Sequence, residues 1–160
     1  MGSRLQRYKD AQDQPIAGFE SALAEIRAGG KRSHWIWYVF PQLAGMGHSA
    51  MSQLYGVDGI DEAEDYLRDP LLRSRLLTIS SAIVEQLDRQ PRRTLGRMMG
   101  ASIDVAKLVS SMTLFGAIAK RLHAVDGLDE YAAIANVADS ILAAAAAEGH
   151  PACQFTSQRL

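Results

Sequence analysis

A chain of 160 residues, 48% hydrophobic and 22% charged, can bury a core without metal or disulfide support and has the balance of an ordered domain. Its 17 basic and 18 acidic side chains nearly cancel, which excludes the net basic face of a dedicated nucleic-acid binder but permits a small anion held by two or three local cations. A single cysteine, Cys153, excludes an internal disulfide and fits a reducing compartment.

In chain order, residues 1–12 read as an N-terminal arm. They are polar and lack the apolar stretch of a signal peptide. Asp13 and Pro15 mark a helix start, Ile16, Phe19, Leu23 and Ile26 repeat at helical spacing, and Gly29-Gly30 stops the helix. Ser49 caps a short helix over Ala50–Tyr55, and Asp61 to Leu67 is an acidic helix whose charges suit its N-terminal dipole. Asp69-Pro70 starts a longer helix buried along Leu72, Leu76, Ile79, Ile83 and Leu87, expected to stop before Pro91. Further helices are expected over about Ser102–His123 and Asp129–Ala147, the second ending in a five-alanine run, with 150–160 as a C-terminal tail. The expectation is an all-α single domain, residues 1–160, of about five to seven helices. The longest uninterrupted apolar run, Ile141–Ala147, falls far short of the roughly 20 residues a membrane helix needs. A soluble cytoplasmic protein with no membrane partner is therefore expected, as a monomer or as a homodimer through the alanine-rich helix.

The segment GGKRSHWIWYVFPQ, residues 29–42, holds both tryptophans beside two adjacent cations. With no partner strand visible elsewhere, a short helix capped by Ser33, or an irregular segment, is expected; His34 and Trp37 then share one face, and Trp35, Tyr38 and Val39 another. Two readings stand side by side. In one, Lys31 attracts an anion, Trp35 or Trp37 stacks on a ring, His34 and Gln42 supply hydrogen bonds, and His34 is the best acid–base candidate. In the other, the tryptophans anchor the core and the cations are solvated charges. A second constellation lies in residues 101–122, where Asp104, Lys107 and Ser111 occupy one sector of an otherwise apolar helix. It is either an exposed ion pair or the lining of a cleft.

Other chemistry fails on spacing. His34, His48, His123 and His150 form no H-x-x-x-H or H-E-x-x-H pair, so no metal is expected, and the nucleophile-elbow, P-loop and dinucleotide fingerprints are absent. Gly45-Met46-Gly47 is too short for a phosphate cradle, and nothing in the sequence argues for an activated Cys153.

RAGGKRSHWIWYVFPQLAGMG, with LQRYKDAQ at 5–12, DEAEDYLRDPLLRSRL at 61–76 and SSMTLFGAIA at 110–119, resembles the bacterial family known as domain of unknown function 1810, covering most of the chain. The resemblance implies a compact multi-helical fold without cofactor and supplies no activity. The family's motif residues fall on Lys31, Ser33, His34, Trp35, Trp37, Phe40, Pro41, Gln42, Ser111, Thr113 and Phe115. Gly30 and Ile36 depart from it, where members more often have a polar or basic residue and methionine. Some members carry the name calpastatin, which does not fit: inhibitors of that kind are disordered polar chains, whereas this one is apolar-rich and periodic. The sequence thus points to a polar and aromatic cleft of Lys31, His34, Trp35, Trp37, Gln42, Asp104, Lys107 and Ser111, binding a small anionic, ring-bearing metabolite such as a nucleotide. The alternative is a protein-interaction or structural module in which the block is a folding anchor.

Overall fold

The computed structural model describes residues 3–89 and 93–160, and over these the fold is all-α with ten helices, more than the five to seven expected. The excess lies in short or terminal pieces. The expected arm is helix α1, Ser3–Gln12, docked through buried Tyr8, Ala11 and Gln12. Helix α2 spans Phe19–Arg27 rather than starting at Pro15, so Ile16 is exposed instead of joining the buried face. The tryptophan segment holds α3, Ile36–Val39. Helices α4 (Ala50–Tyr55, capped by Ser49) and α5 (Gly59–Arg68) follow, and then α6 (Pro70–Asp88), with Asp69 accepting from Leu71 and Leu72 N–H at its start. Pro91 lies outside the described residues. Helix α7, Leu95–Met99, was not foreseen; α8 runs Ser102–Asp126 and α9 Asp129–Ala147, as the periodicity indicated. The expected tail contains α10, Gln154–Ser157, whose Thr156 is buried.

Helix α8 is the axis, apolar on nearly every side because neighbours cover nearly every side. By length and composition it could cross a membrane, but 67% of the qualifying window is buried inside the protein, which marks a core helix. Against α9 it packs at close range: a Cβ on Gly116 would sit 3.0 Å from the Ala138 Cβ, so the small residues set the helix separation. On the other side Phe115 meets Tyr66 of α5 at 4.9 Å between ring centroids, and Tyr66 meets Tyr8 of α1 edge-on at 5.2 Å. This aromatic column explains why α1 is helical and docked rather than a loose arm. Buried Glu62 adds a bidentate pair with Arg7, at 2.8 and 3.0 Å. Helix α3 is fixed on α8 from behind, since Gln12 Nε2 donates to the Tyr38 carbonyl (2.7 Å) and the Tyr38 hydroxyl to the Ala17 carbonyl (2.6 Å).

Candidate functional site

The site begins with the way α2 stops. Gly29 takes a left-handed φ of 101°, its N–H bonding Ile26 O and that of Gly30 bonding Glu25 O, so the chain folds back across the helix end. That reversal brings residues 32–35 onto the side chain of Glu25. Its Oε1 accepts from Arg32 N–H (2.6 Å), Ser33 N–H (2.8 Å) and Trp35 Nε1–H (3.0 Å), and its Oε2 from the Ser33 hydroxyl (2.6 Å). Burial pushes the Glu25 carboxyl up, but these four donors outweigh it and hold the group down at about 2. Ser33 is therefore a ligand of Glu25 and not the cap of α3, whose N-cap position is Trp35 without a side-chain bond. Glu25 escaped the sequence reading because it lies seven residues before Arg32; the signal available was the glycine pair, which forces the return.

Trp35 is fully buried, with its N–H on Glu25 and its ring 6.2 Å from that of Phe40. It has no face open for stacking a ligand. Lys31 is also inside: its side chain is 6% exposed, and its ammonium bonds the Ser33 carbonyl (2.7 Å) and Asp104 Oδ2 (3.0 Å). It lies 5.2 Å from the Trp35 ring centroid as well. Lys31 N–H donates to Met98 O, tying the loop to α7. The sequence places Lys31 and Asp104 in separate constellations; the fold makes them one ion pair.

Trp37 lies on the other face of α3 and is only partly buried. Over its ring, 4.8 Å from the centroid, stands the Lys107 ammonium, itself 3.8 Å from Asp104 Oδ1. Ser111 lies one turn further along the same stripe of α8 and is fully buried. Lys31, Trp35, Trp37, Asp104 and Lys107 thus come together where the 31–39 segment meets the start of α8. His34 is exposed. Gln42 departs from the cluster: its carbonyl takes Val57 N–H at 2.7 Å in the isolated Leu43–Val57 bridge, and it lines a recess of about 10 Å³ with Met46, Ser52 and Tyr55.

Other places also hold space or chemistry. A groove of about 520 Å³ runs between α6 and α9, walled by Val84, Leu87, Ala143, Ala144 and Ala147 and ending at Arg93. Glu148 beside it is committed to the Leu95 and Gly96 N–H groups at the start of α7. Cys153 packs 3.3 Å from the Thr156 hydroxyl and 3.9 Å from Met46 Sδ. Burial raises its thiol, but hydrogen bonds, first from Thr156, leave it below its ordinary value, a bias the sequence did not disclose. Among the described residues no three His, Cys, Asp or Glu side chains are grouped to hold a metal ion.

Residues 2–139 match the family model described as "Protein of unknown function (DUF1810)". A crystal structure, that of the conserved hypothetical protein Rv1873 from Mycobacterium tuberculosis, is similar at 32% identity with a TM-score of 0.71, over 98% of this chain and 95% of that one. No curated protein matches the chain.

Proposed function

The chain belongs to the DUF1810 family, and we propose that it is a cytoplasmic binding protein for a small anionic, ring-bearing metabolite of nucleotide type. The observation that carries this is the half-buried Lys107 ammonium, held over the Trp37 ring at 4.8 Å and oriented by Asp104. A lysine kept in place by a carboxylate and an indole has little further freedom to lose on meeting an anion, which is what preorganised recognition requires. In this proposal Lys107 meets the negative charge, Trp37 and exposed His34 border the ligand, Ser111 lies one turn further along α8, and Gln42, expected in the cleft, takes no part. Lys31, Trp35 and Asp104 support it from behind rather than touching the ligand.

A second reading is favoured by Glu25. The four donors it gathers, and the sealed Trp35, are what a folding anchor looks like. The two readings separate along the segment, with residues 31–35 anchoring and Trp37 with Lys107 left for recognition. The test is a thermal-shift screen with mononucleotides, sugar phosphates and dinucleotide fragments on the wild type and on Lys107→Ala. A ligand at about 100 times its dissociation constant adds about 2.7 kcal/mol, a plain rise in Tm. The rise is expected in the wild type and absent in Lys107→Ala. An equal rise in both places the ligand elsewhere, and no rise in any well leaves the segment a folding anchor.

A further inference from the structure

The hydroxyl-bearing residues at the middle of α8 differ in one respect. Thr113 satisfies its Oγ1 on the Val109 carbonyl (2.7 Å), and Ser110 places its Oγ 3.0 Å from Met46 Sδ. Ser111 is fully buried, yet its Oγ has no hydrogen-bond partner among the described residues. The same is true of one other buried side-chain atom there, Trp37 Nε1. Buried polar atoms are nearly always paired, because leaving one unpaired costs its full desolvation. Both orphans adjoin Lys107: Trp37 lies beneath its ammonium, and Ser111 follows it by one turn on the same stripe. One face of the Trp37 ring is occupied by that ammonium, so its unclaimed recognition group is the N–H edge. An indole N–H donates only, and a serine hydroxyl can donate as well. The ion pairs beside them join two cations, Lys31 and Lys107, to one carboxylate, Asp104, a sum of +1 for that paired set, while the Glu25 carboxylate is held by the Arg32, Ser33 and Trp35 donors.

Resting on the binding role proposed above, we infer that the recognised group is a singly charged oxyanion, a carboxylate or a phosphodiester, seated on Trp37 Nε1–H and Ser111 Oγ–H with Lys107 as its counter-ion. One negative charge neutralises the cluster. A phosphate dianion or a triphosphate leaves uncompensated charge beside Asp104, whose carboxylate already repels it, so among nucleotide-type ligands the phosphodiester-linked fragments are the ones that fit. The ring of the ligand then lies outward, toward His34 and Ile103, both exposed.

With two tryptophans, the ¹⁵N-labelled protein gives two indole N–H resonances, and Trp37→Phe identifies which is which. The experiment titrates the full chain at constant ionic strength with acetate, with dimethyl phosphate and with inorganic phosphate at about pH 8, using chloride as control. The Trp37 resonance is expected to move downfield and saturate with acetate or dimethyl phosphate, while that of Trp35, already bonded to Glu25, stays still. Which of the two probes saturates first distinguishes carboxylate from phosphodiester. Ser111→Ala weakens the apparent affinity about fivefold and Lys107→Gln about tenfold, while Ser111→Thr, which keeps the hydroxyl, retains most of it. An unmoved Trp35 resonance certifies that each variant is folded. Movement no greater than in chloride means that water alone serves the two orphans, and overturns the inference. Tighter binding of the phosphate dianion overturns the charge balance on which it stands. A nucleotide-induced rise in Tm lost in Lys107→Ala, with a Trp37 resonance deaf to every monoanion, sinks this inference and leaves the binding role intact. A responsive Trp37 with no rise from any nucleotide does the reverse, keeping the monoanion and removing the nucleotide.

Discussion

Replacing Glu25 tests whether one carboxylate organises the whole tryptophan segment. Glu25→Gln keeps an oxygen for the Arg32, Ser33 and Trp35 N–H groups, removes the charge, and turns the partner of the Ser33 hydroxyl from an acceptor into an amide donor. Glu25→Ala removes every acceptor. The fall of the carboxyl from 4.5 to about 2 corresponds to about 3 kcal/mol of stability at neutral pH. Solvent reaches this half-buried group, which reduces the expected figure to about 1–2 kcal/mol. Because the folded value is the lower one, this contribution is present above the ordinary carboxyl value of 4.5 and disappears as pH falls toward about 2. Glu25→Gln is therefore expected to lose about 1–2 kcal/mol at pH 7 and to converge on the wild type near pH 2. Glu25→Ala loses about 1–3 kcal/mol more, because the Trp35 N–H is then sealed in the core without a partner. Urea denaturation followed by tryptophan fluorescence, repeated at pH intervals from 7 to 2, measures both. A Glu25→Gln variant as stable as the wild type at pH 7 would refute the role assigned to the charge. So would a deficit that persists unchanged into acid.

Two other substitutions probe the supports of the site. Lys31→Met should cost about 3 kcal/mol, the low end for breaking a buried pair, since Asp104 keeps Lys107 at 3.8 Å. Adding Asp104→Asn should recover part of that loss, and a Lys31→Met variant within about 0.5 kcal/mol of wild type in urea shows that the pair is solvated. Gly116→Val forces α8 and α9 apart where a Cβ already comes to 3.0 Å from Ala138, and is expected to cost about 1–3 kcal/mol, partly restored by Ala138→Gly. Additive effects of the two changes in a double-mutant cycle would show that the helices do not meet there.

What the sequence determined by itself is the local structure of the long helices. Asp69-Pro70, Ser49 and the Gly29-Gly30 stop specify helix ends through capping and backbone preference, and Leu72, Leu76, Ile79, Ile83 and Leu87 fix a buried face through periodicity; all depend on neighbours in sequence. The motif residues that carry the family resemblance were legible in the same way, as residue types at fixed spacing. Helices α1, α7 and α10 were not, because their stability comes from tertiary contacts such as Tyr8 on Tyr66 and Glu148 on the start of α7, and helices of ten residues or fewer are marginal on their own. At the site, spacing placed His34 and Trp37 on one face and Trp35, Tyr38 and Val39 on the other, and in the fold the second set is buried. Only the tertiary structure decided which tryptophan is sealed and which is left partly open. It did so through Glu25 and Asp104, two carboxylates that lie far apart along the chain and bind the same loop, one at Trp35 and one at Lys31. Charge partners of that kind leave no periodic trace, because nothing local in the chain requires them.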